Sequence, residues 1–147
     1  MNASTPQLVI DTSALMALLL QEPEAETIMS AALQASVVFL SAGSRLELAL
    51  VSESRGSKVD SAETCDAEVN ELLRTLGVEV MAFDQQQLHW ALQGWRRYGK
   101  GRHPAALNLG DCFSYGLARA LEAPLLFKGN DFGLTDVTVA LPELPAD

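Results

Sequence analysis

Short apolar runs alternate along the chain with longer stretches in which apolar residues recur every three or four positions. The runs Gln7–Ile10, Val37–Leu40, Val78–Phe83, Leu125–Phe127 and Val137–Ala140 are rich in β-branched or aromatic side chains and predict buried strands. Pro23 opens a predicted helix through Ala35, because a first helical turn does not need the missing N–H. Ser44-x-x-Glu47 reads as a capping box ahead of Leu48, Leu50 and Val51. Asp84-x-x-Gln87 reads as another, ahead of Leu88, Ala91, Leu92 and Trp95 at i, i+3, i+4 and i+7, and Trp90 and Trp95 are expected in the core or, as the alternative, on a helix that meets a second copy or a partner. Asn108 predicts the cap of a last major helix, with Phe113, Leu117, Ala120 and Leu121 facing inward. Gly99, Gly101 and Pro104 separate these two helices. Strands alternating with helices predict an α/β fold whose mostly parallel sheet is covered on both faces. In such sheets ligands gather at the carboxyl ends of the strands.

Composition narrows the classes. The 147 residues suit one domain, and 48% apolar with 20% charged residues excludes disorder over most of the length. The formal charge of −9 means that the surface as a whole repels nucleic acid, so any such binding needs a local basic patch. Cys65 and Cys112 stand far apart, with neither zinc-ligand spacing nor a disulfide framework, and a reducing compartment follows. Met1 to Pro6 has no signal-peptide character, and no apolar run reaches the roughly 18 residues of a membrane span. The acids between Asp60 and Glu71 read as a solvated helix face. Residues 1–6 and 141–147 are expected to be loosely ordered ends.

Four acids change the picture. Asp11 follows the first strand, Glu47 the second, Asp111 opens the last major helix, and Asp131 lies beyond the fourth strand. Each has an ordinary structural reading as a helix cap, a capping box, a dipole partner or a turn residue. Together they sit at the ends of strands that share one sheet edge. Converging carboxylates repel one another unless a cation intervenes. A hard divalent ion such as Mg²⁺ takes one or two carboxylates, its own waters and a substrate phosphate. Such a site suits phosphodiester hydrolysis.

At this point the residues resemble a known family. Val9-Ile10-Asp11-Thr12-Ser13-Ala14-Leu15, Leu46-Glu47, Leu109-Gly110-Asp111-Cys112-Phe113-Ser114-Tyr115 and Leu126-Phe127-Lys128-Gly129-Asn130-Asp131-Phe132 are similar to the PIN-domain ribonucleases of the VapC toxin type. Tyr98 to Pro104 resembles one branch of that family. The resemblance implies a single three-layer α/β/α PIN-like domain over 1–147. It implies a cytoplasmic endoribonuclease using Mg²⁺ or Mn²⁺, a VapB-like antitoxin that covers the site, and a homodimer. By matching positions, Asp11 and Asp111 become the principal metal carboxylates, Glu47 the third acid and Asp131 the fourth. Many members carry an acid where this chain has Asn130, so Asn130 and Asp131 compete for the fourth place. Thr12 and Ser13 fall where a hydroxyl supports a carboxylate or a metal-bound water, or caps the helix.

Arg96, Arg97, Lys100 and Arg102 form the one basic island, a candidate for phosphate contacts or a solvated loop balancing nearby acids. Lys128 reads as a contact to the scissile phosphate or as the partner of an acid. His89 and Cys112 read as structural, and His103 as a weak candidate for proton transfer. Two other classes compete: a phosphoacceptor domain, which would use Asp84 after Phe83, and a non-catalytic binding module whose acids serve only as caps.

Overall fold

The most apolar short runs form the sheet. The computed structural model describes residues 7–55 and 61–141. Strands β1 (Gln7–Ile10), β2 (Val37–Ser41), β3 (Val78–Met81) and β4 (Leu125–Leu126) pair in parallel in the order β3-β2-β1-β4. The helices are α1 (Thr12–Leu19), α2 (Ala25–Gln34), α3 (Ala42–Arg55), α4 (Ala62–Leu76), α5 (Gln85–Tyr98) and α6 (Leu109–Leu121). A 3₁₀ turn, Phe132–Leu134, follows β4.

Strand alternation sorts the core into two layers. Leu8, Ile10, Val38 and Leu40 pack with Leu15, Ile28, Leu48 and Val69 from α1 to α4. Val9, Leu125 and Phe127 pack on the other face with Ala91, Tyr115 and Leu117 from α5 and α6. The chain steps outward from β1 to β2 and β3, then returns to lay β4 on the far side of β1. With right-handed crossovers, that reversal puts α5 and α6 on the opposite face from α1 to α4. It also makes the β1/β4 boundary the topological switch point, where a crevice opens beyond the strand ends. The expected three-layer α/β/α architecture is the one observed.

Several local expectations are corrected. Strand β2 runs straight into α3, so Ser44 lies inside the helix and does not cap it; the Ser41 hydroxyl instead accepts the Gly43 N–H at 3.1 Å. Residues 22–25 form a turn, closed by the Ala25 N–H on Glu22 O at 2.9 Å, so α2 starts at Ala25 rather than at Pro23. The β3 run stops at Met81, and Val137–Ala140 reaches the sheet only through a bridge between Val139 and Leu125. Leu141 packs against the core instead of fraying. The remainder of both expected loose ends, and Asp60, lie outside the described residues. Asp84 caps α5 through the Gln87 N–H, but the Gln87 side chain donates to Ala82 O at 2.8 Å and does not close the box.

Helix α5 also buries a different face from the one its apolar stripe suggests. Gln87, Ala91 and Gly94 are buried, whereas Leu88, Leu92 and Trp95 are exposed. Glycines cause this. A Cβ on Gly94 would strike the Tyr115 ring, and one on Gly116 would meet Gln87 O and the Ala91 side chain. Two smooth faces bring α5 and α6 together more closely than leucines would allow, and the large side chains turn outward. The expected inward face of α6 is right at Leu117, but the side chains buried most deeply there also include Cys112, Ser114 and Tyr115.

Candidate active site

The sheet brings the two most separated acid motifs together. The Asp11 N–H pairs with Leu126 O at 2.9 Å, so β1 and β4 present their carboxyl ends side by side. Asp11 is only 4% exposed, and both of its carboxylate oxygens are held. Oδ2 accepts the Ser13 N–H at 3.0 Å, which caps α1, and Oδ1 accepts the Ser114 hydroxyl at 2.5 Å. Ser114 in turn lies 3.2 Å from the Ser44 hydroxyl, and Thr12 Oγ1 donates to Ser44 O at 3.2 Å. A buried row of hydroxyls thus ties α1, α3 and α6 together beneath Asp11.

Asp111 sits in the first turn of α6 in a complete capping box. Its N–H donates to Asn108 Oδ1 at 2.9 Å, and its own Oδ2 accepts the Asn108 N–H at 3.0 Å. Even so, its carboxyl is pushed from the ordinary 3.8 up to about 7. Burial is the largest cause, and the charges of Asp11, Glu47 and Asp131 add to it, against the opposing Asn108 bond. The Glu47 carboxyl is also raised, by burial and then by Asp11, against a hydrogen bond from Thr12 that lowers it. These mutual influences place all four predicted acids in one electrostatic neighbourhood. Asp11 and Asp111 are thus each a cap, and each also lies in the cluster of acids.

Gly110 makes the close approach possible, because a Cβ there would occupy the space of the Glu47 carboxylate. Among the described residues, no three His, Cys, Asp or Glu side chains form a ready chelate for a metal ion. The donor set nevertheless suits a hard cation that keeps most of its waters, since it offers carboxylate oxygens whose negative charge is disfavoured by burial and by one another until a cation offsets it. Ser44, Gly110 and Ser114 escaped the sequence reading as site residues. The signal was there: each serine stands three residues from an acid on its own helix, Ser44 before Glu47 and Ser114 after Asp111.

The other candidates separate. Ser13 accepts the Lys128 N–H at 3.0 Å, so it touches both Asp11 and the loop after β4. Lys128 Nζ lies 2.7 Å from Glu22 and 3.7 Å from Glu24, which realises the acid-partner reading. Asn130 and Asp131 are both exposed, with Asp131 the one whose charge reaches Asp111. Arg97 turns to Asp136, which also accepts from Tyr115 and pairs with Arg119 at 3.0 Å. Arg96, Lys100 and Arg102 remain exposed, and Arg102 stacks over Trp95 at 5.1 Å. His103 accepts the Ala105 N–H at 3.0 Å and meets the Tyr98 ring edge-on. Burial and then Asp111 push the Cys112 thiol up to about 11, which leaves it unreactive at neutral pH. Beside the acids lies an apolar groove of about 540 Å³ lined by Phe83, Leu88, Leu92, Trp95, Leu109 and Phe113, together with Ala91 and Cys112.

A parallel sheet with acids gathered at its switch point defines a class, and comparison with known proteins agrees. Residues 8–137 match the PIN domain, and the chain belongs to that family. Within it the chain is a VapC-type ribonuclease. It is 47% identical over 136 residues to "Ribonuclease VapC30" of Mycobacterium tuberculosis H37Rv, covering 92% of this chain and 100% of that one. It is 48% identical over 130 residues to "Ribonuclease VapC" of Mycolicibacterium smegmatis, covering 88% and 97%. The fold is shared with VapBC2 of Rickettsia felis, bound to a DNA fragment from its promoter, at a TM-score of 0.68, 15% identity and coverage of 90% and 96%. It is shared too with VapC20 of Mycobacterium tuberculosis, described as a toxin that cleaves the sarcin-ricin loop, at 0.67, 16% identity and coverage of 89% and 96%.

Proposed function

We propose that this chain is a metal-dependent endoribonuclease that acts as the toxin of a toxin–antitoxin pair, with cytoplasmic RNA as its substrate. The observation that carries the chemistry is the gathering of Asp11, Glu47 and Asp111 at the carboxyl edge of the sheet, with burial and neighbouring charges, Asp131 included, pushing the Asp111 carboxyl up. Asp11 and Asp111 would hold Mg²⁺ or Mn²⁺, with Glu47 and Asp131 on its waters. Bound there, the ion supplies positive charge to a phosphoryl oxygen and lowers the pKa of an attacking water. The chain's own groups do the rest. Ser13 and Ser114 lock both oxygens of Asp11, so this ligand needs no reordering when a cation arrives. Thr12 supports Glu47 in its ionised form.

Arg96, Lys100 and Arg102 are the proposed phosphate contacts, supplying affinity without sequence information. Arg97 instead directs its charge to Asp136. The apolar groove beside the acids suits a VapB-like antitoxin that lays apolar side chains there and points a cation at the carboxylates. The exposed α3 residues Leu46 and Leu50 are the proposed contact with a second copy. Among the described residues, no helix is long and apolar enough to cross a membrane.

Metal-stripped protein, freed of any antitoxin, tests this against total RNA with and without Mg²⁺ or Mn²⁺, beside Asp111→Asn. Metal-dependent fragments that vanish in the variant are the expected result. Well-folded protein that cuts no RNA with either ion would favour a binding module that uses its acids as caps.

A further inference from the structure

The Glu22, Glu24 and Lys128 cluster lies outside the four acids and is a costly arrangement. Glu24 is a carboxylate with a side chain only 3% exposed, and its Oε1 has no hydrogen-bond partner. Burying such a group is unfavourable unless its charge is matched. The Lys128 ammonium, 3.7 Å away, matches it while bonding Glu22 at 2.7 Å. Two carboxylates from the α1–α2 turn therefore clamp one lysine at the end of β4.

That lysine begins the loop that ends in Asp131. The same residue is fixed a second time through its backbone, by the Ser13 hydroxyl at 3.0 Å. Gly129, at φ +108°, then turns the chain sharply. On the far side Phe132 is buried against Phe127, with ring centroids 5.2 Å apart. Asp131 is exposed and makes no side-chain cap to the 3₁₀ turn that it precedes. Its charge reaches Asp111, and the loop that carries it is pinned at both ends.

We propose that Glu22 and Glu24 are positioning residues: by clamping Lys128 they hold the 128–131 loop so that Asp131 faces Asp111 across the site. The proposal rests on the metal-dependent reading above. It also assigns Lys128 to the loop and not to the RNA.

Calorimetric titration of the metal-free protein with Mn²⁺, together with kcat and KM for RNA, tests it. The variants are Glu22→Gln/Glu24→Gln, Lys128→Met, the conservative Lys128→Arg, and each of these combined with Asp131→Asn. The expected result is Mn²⁺ affinity weakened about tenfold by Lys128→Met and by the double Gln variant, as for outer-shell partners of metal ligands. Lys128→Arg should restore most of it, and KM for RNA should stay within about twofold. In the Asp131→Asn background the clamp substitutions should add nothing. Full additivity there, unchanged Mn²⁺ affinity, or a raised KM for RNA at unchanged Mn²⁺ affinity would overturn the proposal. Single Glu22→Gln serves if the double variant melts below the assay temperature. Wild-type protein that cuts no RNA in either ion would sink the nuclease reading, while the Mn²⁺ titrations would still decide the clamp.

Discussion

Asp111→Asn should stabilise the metal-free protein at neutral pH while destroying its function. The substitution keeps an oxygen that can accept the Asn108 N–H, so the cap of α6 survives. It removes a charge that is unfavourable in the folded state. Moving a carboxyl from 3.8 to about 7 corresponds to about 4 kcal/mol, at about 1.4 kcal/mol per pH unit. Asp111 is half-buried, and solvent screening reduces this to about 2 kcal/mol. The sign follows from proton binding. Below pH 3.8 the acid is protonated in both states and costs nothing. As pH rises the unfolded chain ionises first, and wild-type stability falls until the folded carboxyl also ionises near pH 7. The variant's advantage therefore opens above about pH 4, grows, and levels off above about pH 7. Thermal melts of both proteins in chelator across pH 4 to 8 measure it, with a Tm gap of about 4–8 °C expected at pH 8. Saturating Mn²⁺ should reverse the order, since only wild type gains the full binding term, about 2.7 kcal/mol at a hundredfold excess over Kd. A variant less stable than wild type at every pH would refute the reasoning and make Asp111 a cap and nothing more.

Three further outcomes are expected. Gly110→Ala should leave the fold stable within about 1 kcal/mol, since alanine favours the helix, yet cut RNA cleavage at least tenfold by displacing the Glu47 carboxylate, as melts beside cleavage assays would reveal. Arg96→Glu/Lys100→Glu/Arg102→Glu should weaken RNA binding and its salt dependence more than turnover of bound RNA, read by binding isotherms at several salt concentrations and single-turnover rates. Gly94→Ala should destabilise by about 1–3 kcal/mol because its methyl group meets the Tyr115 ring, whereas Leu92→Ala on the exposed face should change stability by about 0.5 kcal/mol or less; denaturant unfolding separates the two.

How far the amino-acid sequence discloses a feature of this protein depends on how local the cause of that feature is. Leu8-Val9-Ile10 reads as a buried strand because its neighbours in sequence suffice to say so, and Asn108 caps α6 for equally local reasons. The four acids are legible because Asp11 directly follows β1, Asp111 lies in the first turn of α6, and Glu47 and Asp131 stand within about two turns of the ends of β2 and β4, positions that parallel topology brings to one edge. Partners distant in sequence are not legible. Nothing near Lys128 predicts Glu22 and Glu24, and nothing near Asp11 predicts the Ser114 hydroxyl. Helix α5 shows the opposite failure. Its apolar stripe is real, but Gly94 and Gly116 let a smoother face pack more closely, so steric fit outweighed hydrophobic periodicity. Ser44 misled in a similar way, because the loop that a cap requires is absent where β2 joins α3.

The placement of β4 beside β1 has a consequence for synthesis on the ribosome. Ser114 reaches Asp11 across 103 residues, and Lys128 reaches Ser13 across 115. A nascent chain that has emerged only as far as α5 carries Asp11 and Glu47 but has neither Asp111 nor the strand that closes the crevice. Such a chain cannot assemble the four acids, however well its first three strands have paired. The four acids come together only when α6 and β4 have left the exit tunnel, so for most of translation the chain carries the parts of this site without the site itself.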